Sequence, residues 1–127
     1  MSDEYHGIVL SISQKDKSIF KGLQVIGSKK ALLGLITFYK IRIDSHQIDN
    51  IITNIQGNMA RNIGPIKQEF YAHFYKDTEL IIVYRDKSFR VTTDQATWAN
   101  AISHGRSLNI LGKQLDFTPY RFEDETY

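Results

Sequence analysis

Between residues 48 and 59 the apolar positions Ile48, Ile51, Ile52, Ile55 and Met59 recur at offsets of 3, 4, 7 and 11. That spacing predicts a helix with one narrow apolar stripe, packed on a sheet as core. Asp44 and Ser45 precede it as candidate N-caps, and Asn62-Ile63-Gly64-Pro65 ends it. Before the helix, Leu32 to Ile43 reads as one long strand. Its first half is apolar on both faces. Its second half alternates, with Tyr39, Ile41 and Ile43 on one side and Lys40 and Arg42 on the other. Such a strand begins in the core and runs out of it.

Two further strands follow, Gln68 to Tyr75 and Leu80 to Val91, joined by the polar stretch Lys76 to Glu79. Arg85 to Ser88 interrupts the second as a bulge or a further turn. Thr92, Thr93 and Asp94 offer caps, Thr92 and Gln95 have capping-box spacing, and the next helix carries Trp98, Ala101, Ile102, Gly105 and Leu108 on one face. Leu115 to Phe122 alternates again, and Pro119 confines it to an edge or ends it. Near the N-terminus, His6 to Ser13 alternates as a strand. Asp16 to Ile26 fits either a short helix, capped by Asp16 and stopped by Gly27, or a strand turning at Gly27-Ser28-Lys29. The positions of Ile19, Phe20 and Leu23 favour the helix slightly.

From residue 31 the order is strand, helix, strand, strand, helix, strand, the ferredoxin-like split βαβ order of an α+β fold. That arrangement gives an antiparallel sheet with two helices on one face. The expected organisation is one domain over 1–127: an N-terminal extension 1–30 holding an extra strand and a short helix or hairpin, a ferredoxin-like core 31–122, and an acidic tail 123–127. One segment conflicts with it. In "EFYAHFYKD", residues 69–77, Phe70, Ala72 and Phe74 point one way and Tyr71, His73 and Tyr75 the other. The next strand is also apolar on both faces, and a sheet of that kind is covered on both sides. Three covers suggest themselves: the N-terminal thirty residues, a second copy packed sheet to sheet, or a ligand on the rings.

Composition changes this picture little. With 127 residues, 42% hydrophobic and 24% charged, the chain suits one domain with a core of its own. It has no cysteine, which excludes disulfides, thiolate metal sites and cysteine nucleophiles and agrees with a cytoplasmic location. The acidic N-terminus lacks the apolar run of a secretory signal. The longest apolar run, Ala31 to Phe38, is far short of a membrane span, so no membrane partner is expected. A formal charge of +2 gives no reason to expect nucleic acid.

Candidate chemistry therefore centres on the two-faced sheet. Tyr71, His73, Tyr75, Tyr39 and Tyr84 are the expected ligand or interface residues. Lys29, Lys30, Lys40 and Arg42 are candidate contacts for an anion or nucleic acid. Rings beside Lys40 and Arg42 also suggest single-stranded RNA, but "LIIVYRDKSFRV" lacks the glycines of the RNP1 pattern. "GSKKALLG", residues 27–34, is a basic turn without P-loop spacing. His6, His46, His73 and His104 lack metal-ligand spacing, there is no Gly-x-Ser-x-Gly elbow, and no metal or cofactor is expected. His104, Asn100 and Ser107, with Arg106 beside them, form a polar ridge on the second helix. The expected function is a small binding or regulatory module, self-associating as a homodimer through its aromatic sheet face, with a small molecule or protein as further partner. The alternative is a small-molecule-binding protein or small enzyme with a pocket between the sheet and its cover, where His73 and Tyr71 make polar contacts. Weak single-stranded RNA binding is third.

Overall fold

The computed structural model describes residues 3–63 and 65–110 of the chain. The strand expected at 115–122 and the acidic tail lie outside them. In chain order the elements are β1 (Glu4–Leu10), a 3-10 turn (Lys17–Lys21), β2 (Gln24–Ala31), β3 (Ile36–Asp44), α1 (Ile48–Gly57), β4 (Asn62–Ile63), β5 (Ile66–Lys67), β6 (Tyr71–Lys76), β7 (Glu79–Tyr84), β8 (Ser88–Thr92) and α2 (Ala99–Ser107). The fold is α+β. Six strands form one antiparallel sheet in the order β2-β3-β1-β6-β7-β8, and β4 and β5 pair as a separate short hairpin.

The expected N-terminal extension is thus part of the sheet. β1 lies between β3 and β6, with Gly7 opposite both Ile41 and Phe74. Its alternation explains the place: Tyr5 and Val9 face one core, His6 and Ile8 the other side. Gly7 is required by packing, because a Cβ there would lie 2.1 Å from Cδ1 of the buried Phe74 ring and 2.9 Å from the His73 carbonyl oxygen.

The helices settle the two-faced strand. α1 buries Ile48, Ile52 and Ile55 against Tyr5, Val9, Ile41, Ile43, Ala72, Phe74, Ile81 and Val83. On the other face, Trp98 and Ala101 pack with Tyr75, Leu80, Ile82 and Tyr84. The helices therefore cover opposite faces. The ferredoxin-like arrangement fails on this point, and also because β1, not β7, is the inner neighbour of β3. Over β7 and the Tyr75 end of β6 the cover is α2, while Tyr71 and His73 are half-buried.

Local signals are met unevenly. Asp16 accepts a hydrogen bond from Ser18 N at 2.9 Å and caps the 3-10 turn, but the chain then enters β2 and passes through Gly27 at a bulge instead of stopping there. Neither Asp44 nor Ser45 caps α1; a 3-10 turn intervenes, and Ser45 Oγ accepts from Lys76 Nζ at 3.2 Å. Asp94 caps the turn before α2 by accepting from Ala96 N at 3.0 Å. Residues 85–87 form a turn between β7 and β8, closed by Tyr84 N donating to Lys87 O at 2.8 Å.

The largest departure lies at residues 32–35. The expected strand from Leu32 to Ile43 is instead the tip and second arm of the β2–β3 hairpin, whose last pair is Ala31 with Ile36. Leu33 (φ 57°) and Gly34 (φ 86°) are both left-handed. Two consecutive positive φ values suit a tight hairpin turn, but the first belongs to a leucine, at a cost of roughly 1–2 kcal/mol.

Candidate functional site

The expected ring residues form a ladder on the α2 face. The planes of Tyr71 and His73 lie 29° apart with centroids 6.4 Å apart, His73 and Tyr75 stack at 6.1 Å, and His6 meets Tyr75 edge-on at 6.3 Å. Tyr71 also touches Tyr84, whose ring lies 5.1 Å from His104. The ladder is interior at its Tyr75 and Tyr84 members only. Tyr75 and Tyr84 are buried in the single chain, Tyr71 and His73 are half-buried, and the Tyr84 hydroxyl donates to the Ala101 carbonyl at 2.7 Å. Burial, and then the neighbouring Tyr71, pushes the Tyr84 phenol far above the ordinary tyrosine range. These rings join sheet to helix. Tyr39 is separated from them, since it packs on Phe20 at 4.4 Å on the α1 face.

The expected cations divide as well. Lys40 shares the ladder's face, in register with Ile8 and His73, and is 2% exposed. Arg42 is held by Glu4 (3.0 Å), Asp44 (2.9 Å) and Gln24 (3.1 Å). Burial raises the Glu4 carboxyl, but hydrogen bonds from His6 and Arg42 outweigh it and hold Glu4 below the usual range. Lys29 and Lys30 are exposed on the edge strand β2. The polar ridge of α2 also has local partners: His104 Nε2 lies 2.8 Å from Asp86 Oδ1, and Ser107 Oγ donates to the His104 carbonyl at 2.6 Å. The hydrogen bond from His104 lowers the Asp86 carboxyl. The Ser107 hydroxyl thus faces its own helix backbone, and Ser107, His104 and Asp86 do not form a nucleophilic triad.

A cleft of about 480 Å³ opens beside this ridge, between the β4–β5 hairpin, the start of β6, the 85–87 turn and the end of α2. Its walls hold Arg61, Lys67 and Arg85, with Gln68, Ser107 and Asn109 as neutral polar groups. The one carboxylate among its described lining residues, Glu69, accepts from Arg85 Nε and Nη2 at 3.0–3.2 Å. Arg61 and Lys67 are exposed and make no ion pair with another described residue. The α2 end is well formed: Asn109 (φ 65°) stands at C′, Asn109 N donates to Arg106 O at 2.9 Å, and Ile110 N donates to Gly105 O at 3.1 Å, the Schellman pattern. This closure satisfies helix carbonyls and sets Asn109 at the cleft rim.

Sequence reasoning missed this cleft. Its signal was the group of cations around Gly64-Pro65 together with the polar insertion at Arg85, which are distant in sequence. Register brings them together. The ends of β6 and β7 coincide at Tyr71 and Tyr84, and β8 begins beside them. Residues 29–35, 58–63, 65–70 and 85–87 all lie at this end of the sheet. These segments hold Lys29, Lys30, Arg61, Lys67, Arg85 and Lys87 against Glu69 and Asp86. The opposite end holds Asp3, Glu4, Asp44, Asp77, Glu79 and Asp94 against Arg42, Lys76 and Arg90. Among the described residues no group of three or more His, Asp or Glu side chains could hold a metal ion. Comparisons with known protein families, curated proteins and solved structures find no match.

Proposed function

We propose that this protein is a non-catalytic binding module that takes an anionic group, a phosphate or polyphosphate, in the cleft of Arg61, Lys67 and Arg85. The observation that carries the reading is the charge balance of the cleft's described residues: three cations, and one carboxylate already engaged in a two-pronged pair with Arg85. An anion gains the fork of Arg61 and the ammonium of Lys67, with Gln68, Ser107 and Asn109 available for neutral hydrogen bonds. The Arg85–Glu69 pair fixes one wall. The reading places the binding surface in the cleft and not on the rings, two of which, Tyr75 and Tyr84, α2 already buries.

Inorganic pyrophosphate is the probe. Amide shifts mapped during a titration are expected to cluster at residues 61–69, 85 and 107–109. Arg61→Ala/Lys67→Ala is expected to weaken binding at least tenfold, since each charge-assisted hydrogen bond contributes about 1.5–3 kcal/mol. Shifts that avoid the cleft, or binding untouched by the double variant, would overturn the reading.

A further inference from the structure

The β2–β3 hairpin tip does not fit a wholly water-facing protein. Leu33 is fully exposed and Leu35 is 78% exposed, at the end of an edge strand whose Lys29 and Lys30 also face solvent. Leu33 is doubly unfavourable there: its side chain meets only water, and its backbone is left-handed. Asparagine would relieve both. The β4–β5 hairpin, at the same end of the sheet, repeats the combination on a smaller scale, with exposed Ile66 beside Lys67.

We propose that this end of the protein docks on an anionic lipid bilayer, with Leu33 and Leu35 entering the boundary between headgroups and acyl chains and Lys29 and Lys30 meeting the lipid phosphates. Aliphatic tips ringed by cations match that boundary, which is apolar a few ångströms below a layer of negative charge. The rest of the end agrees in sign, because its described segments carry an excess of cations while the far end is acidic. A bilayer would thus orient the protein before the leucines touch it. A second copy fits less well. Two narrow tips offer little area for a stable dimer, and pairing tip to tip would oppose four lysines.

This interaction is peripheral. No helix among the described residues is long and apolar enough to cross a membrane. The earlier expectation of no membrane partner rested on the length of apolar runs, which bears on spanning and not on surface docking. The contact itself stands apart from the cleft, since Leu33, Leu35, Lys29 and Lys30 are not among the cleft's described lining residues.

Co-sedimentation with phosphatidylcholine vesicles, with and without a fraction of phosphatidylserine, tests it. The expected result is binding to the anionic vesicles that weakens with salt. Leu33→Asn/Leu35→Ser should lower the partition on the order of 30-fold for partial burial of two leucines. Lys29→Ala and Lys30→Ala should each lower it roughly 5-fold. Leu33→Asn alone should melt no lower than wild type, so its loss of vesicle binding would not reflect unfolding. No binding to the anionic vesicles would overturn the proposal. So would binding indifferent to the leucines, or a wild-type dimer dissociated by the leucine variant. Pyrophosphate binding with no vesicle binding would leave the cleft standing and remove this inference; the reverse result would do the opposite.

Discussion

Replacing Tyr84 with phenylalanine removes one oxygen from the contact that holds α2 on the sheet. The side chain is fully buried, and its hydroxyl donates to the Ala101 carbonyl at 2.7 Å. Ala101 lies inside α2, so its carbonyl keeps its place in the helical ladder. The loss is then that of one neutral hydrogen bond, about 1 kcal/mol near neutral pH. For a chain of this size that lowers Tm by about 4 °C. The pH dependence is sharper. Burial holds the folded phenol far above its ordinary pKa of 10.0. A raised folded pKa gives stability that is complete below the unfolded pKa and declines as pH rises beyond it, because the unfolded phenol ionises while the folded one does not. The decline approaches about 1.4 kcal/mol per pH unit. The phenylalanine variant lacks it. The advantage of wild type should therefore shrink above pH 10 and reverse at about pH 10.6. Urea unfolding of both proteins, followed by circular dichroism at neutral pH and across pH 9–11, measures the difference directly. Other titrating groups are common to both proteins and cancel. A difference that is constant with pH, or absent at neutral pH, would show that Tyr84 is not a buried donor to α2.

Gly7→Ala should destabilise by about 3 kcal/mol, since its methyl would overlap the Phe74 ring and approach the His73 carbonyl; urea unfolding reads this, and a loss below about 0.5 kcal/mol would mean that Phe74 does not lie over Gly7. Tyr75→Ser should cost about 3–5 kcal/mol by emptying a buried site, with no change in the solution mass of the folded fraction. Light scattering after size exclusion decides between readings: a stable variant with altered mass would return the rings to an interface.

Much of the fold is legible in the sequence where one physical rule acts alone. The Ile48–Met59 stripe has only the helical period to obey, and its predicted face is the buried one. The alternation in 69–77 reports rings on both faces; the Phe70, Ala72 and Phe74 face is buried, and the other is buried at Tyr75 and half-buried at Tyr71 and His73. What covered the second face was not legible, because nothing local states which side of a sheet a helix crosses to. The order strand-helix-strand-strand-helix is shared by folds with helices on one face and on two. The place of β1 was hidden for a related reason: its pairing with β3 and β6 joins residues far apart in the chain, and Gly7 records the close approach only once Phe74 is known to be its neighbour. Among candidate site residues, Tyr71, His73, Tyr75 and Tyr84 do share a face, but as interior packing. Tyr39 departs from them because β3 presents it towards α1.

The apolar run at 31–38 shows how a composition rule can mislead. Leucine-rich stretches are core in most chains, so "ALLGLI" reads as a buried strand. Gly34 was the contrary signal, since a glycine within such a run marks a turn as readily as a bulge. Once the chain turns there, Leu33 and Leu35 have no core to enter, and the lysines before them share their end of the sheet. The same segregation gives meaning to a formal charge of +2 that says little as a sum. Cations collect where the hairpin tips and the cleft lie, and carboxylates where the strands turn at the far end. Salt screens such a field within about 10 Å at ordinary ionic strength, so its role is orientation at close range. Two different features, a polar cleft suited to a phosphate and aliphatic tips suited to the layer beneath one, therefore open at the same basic end.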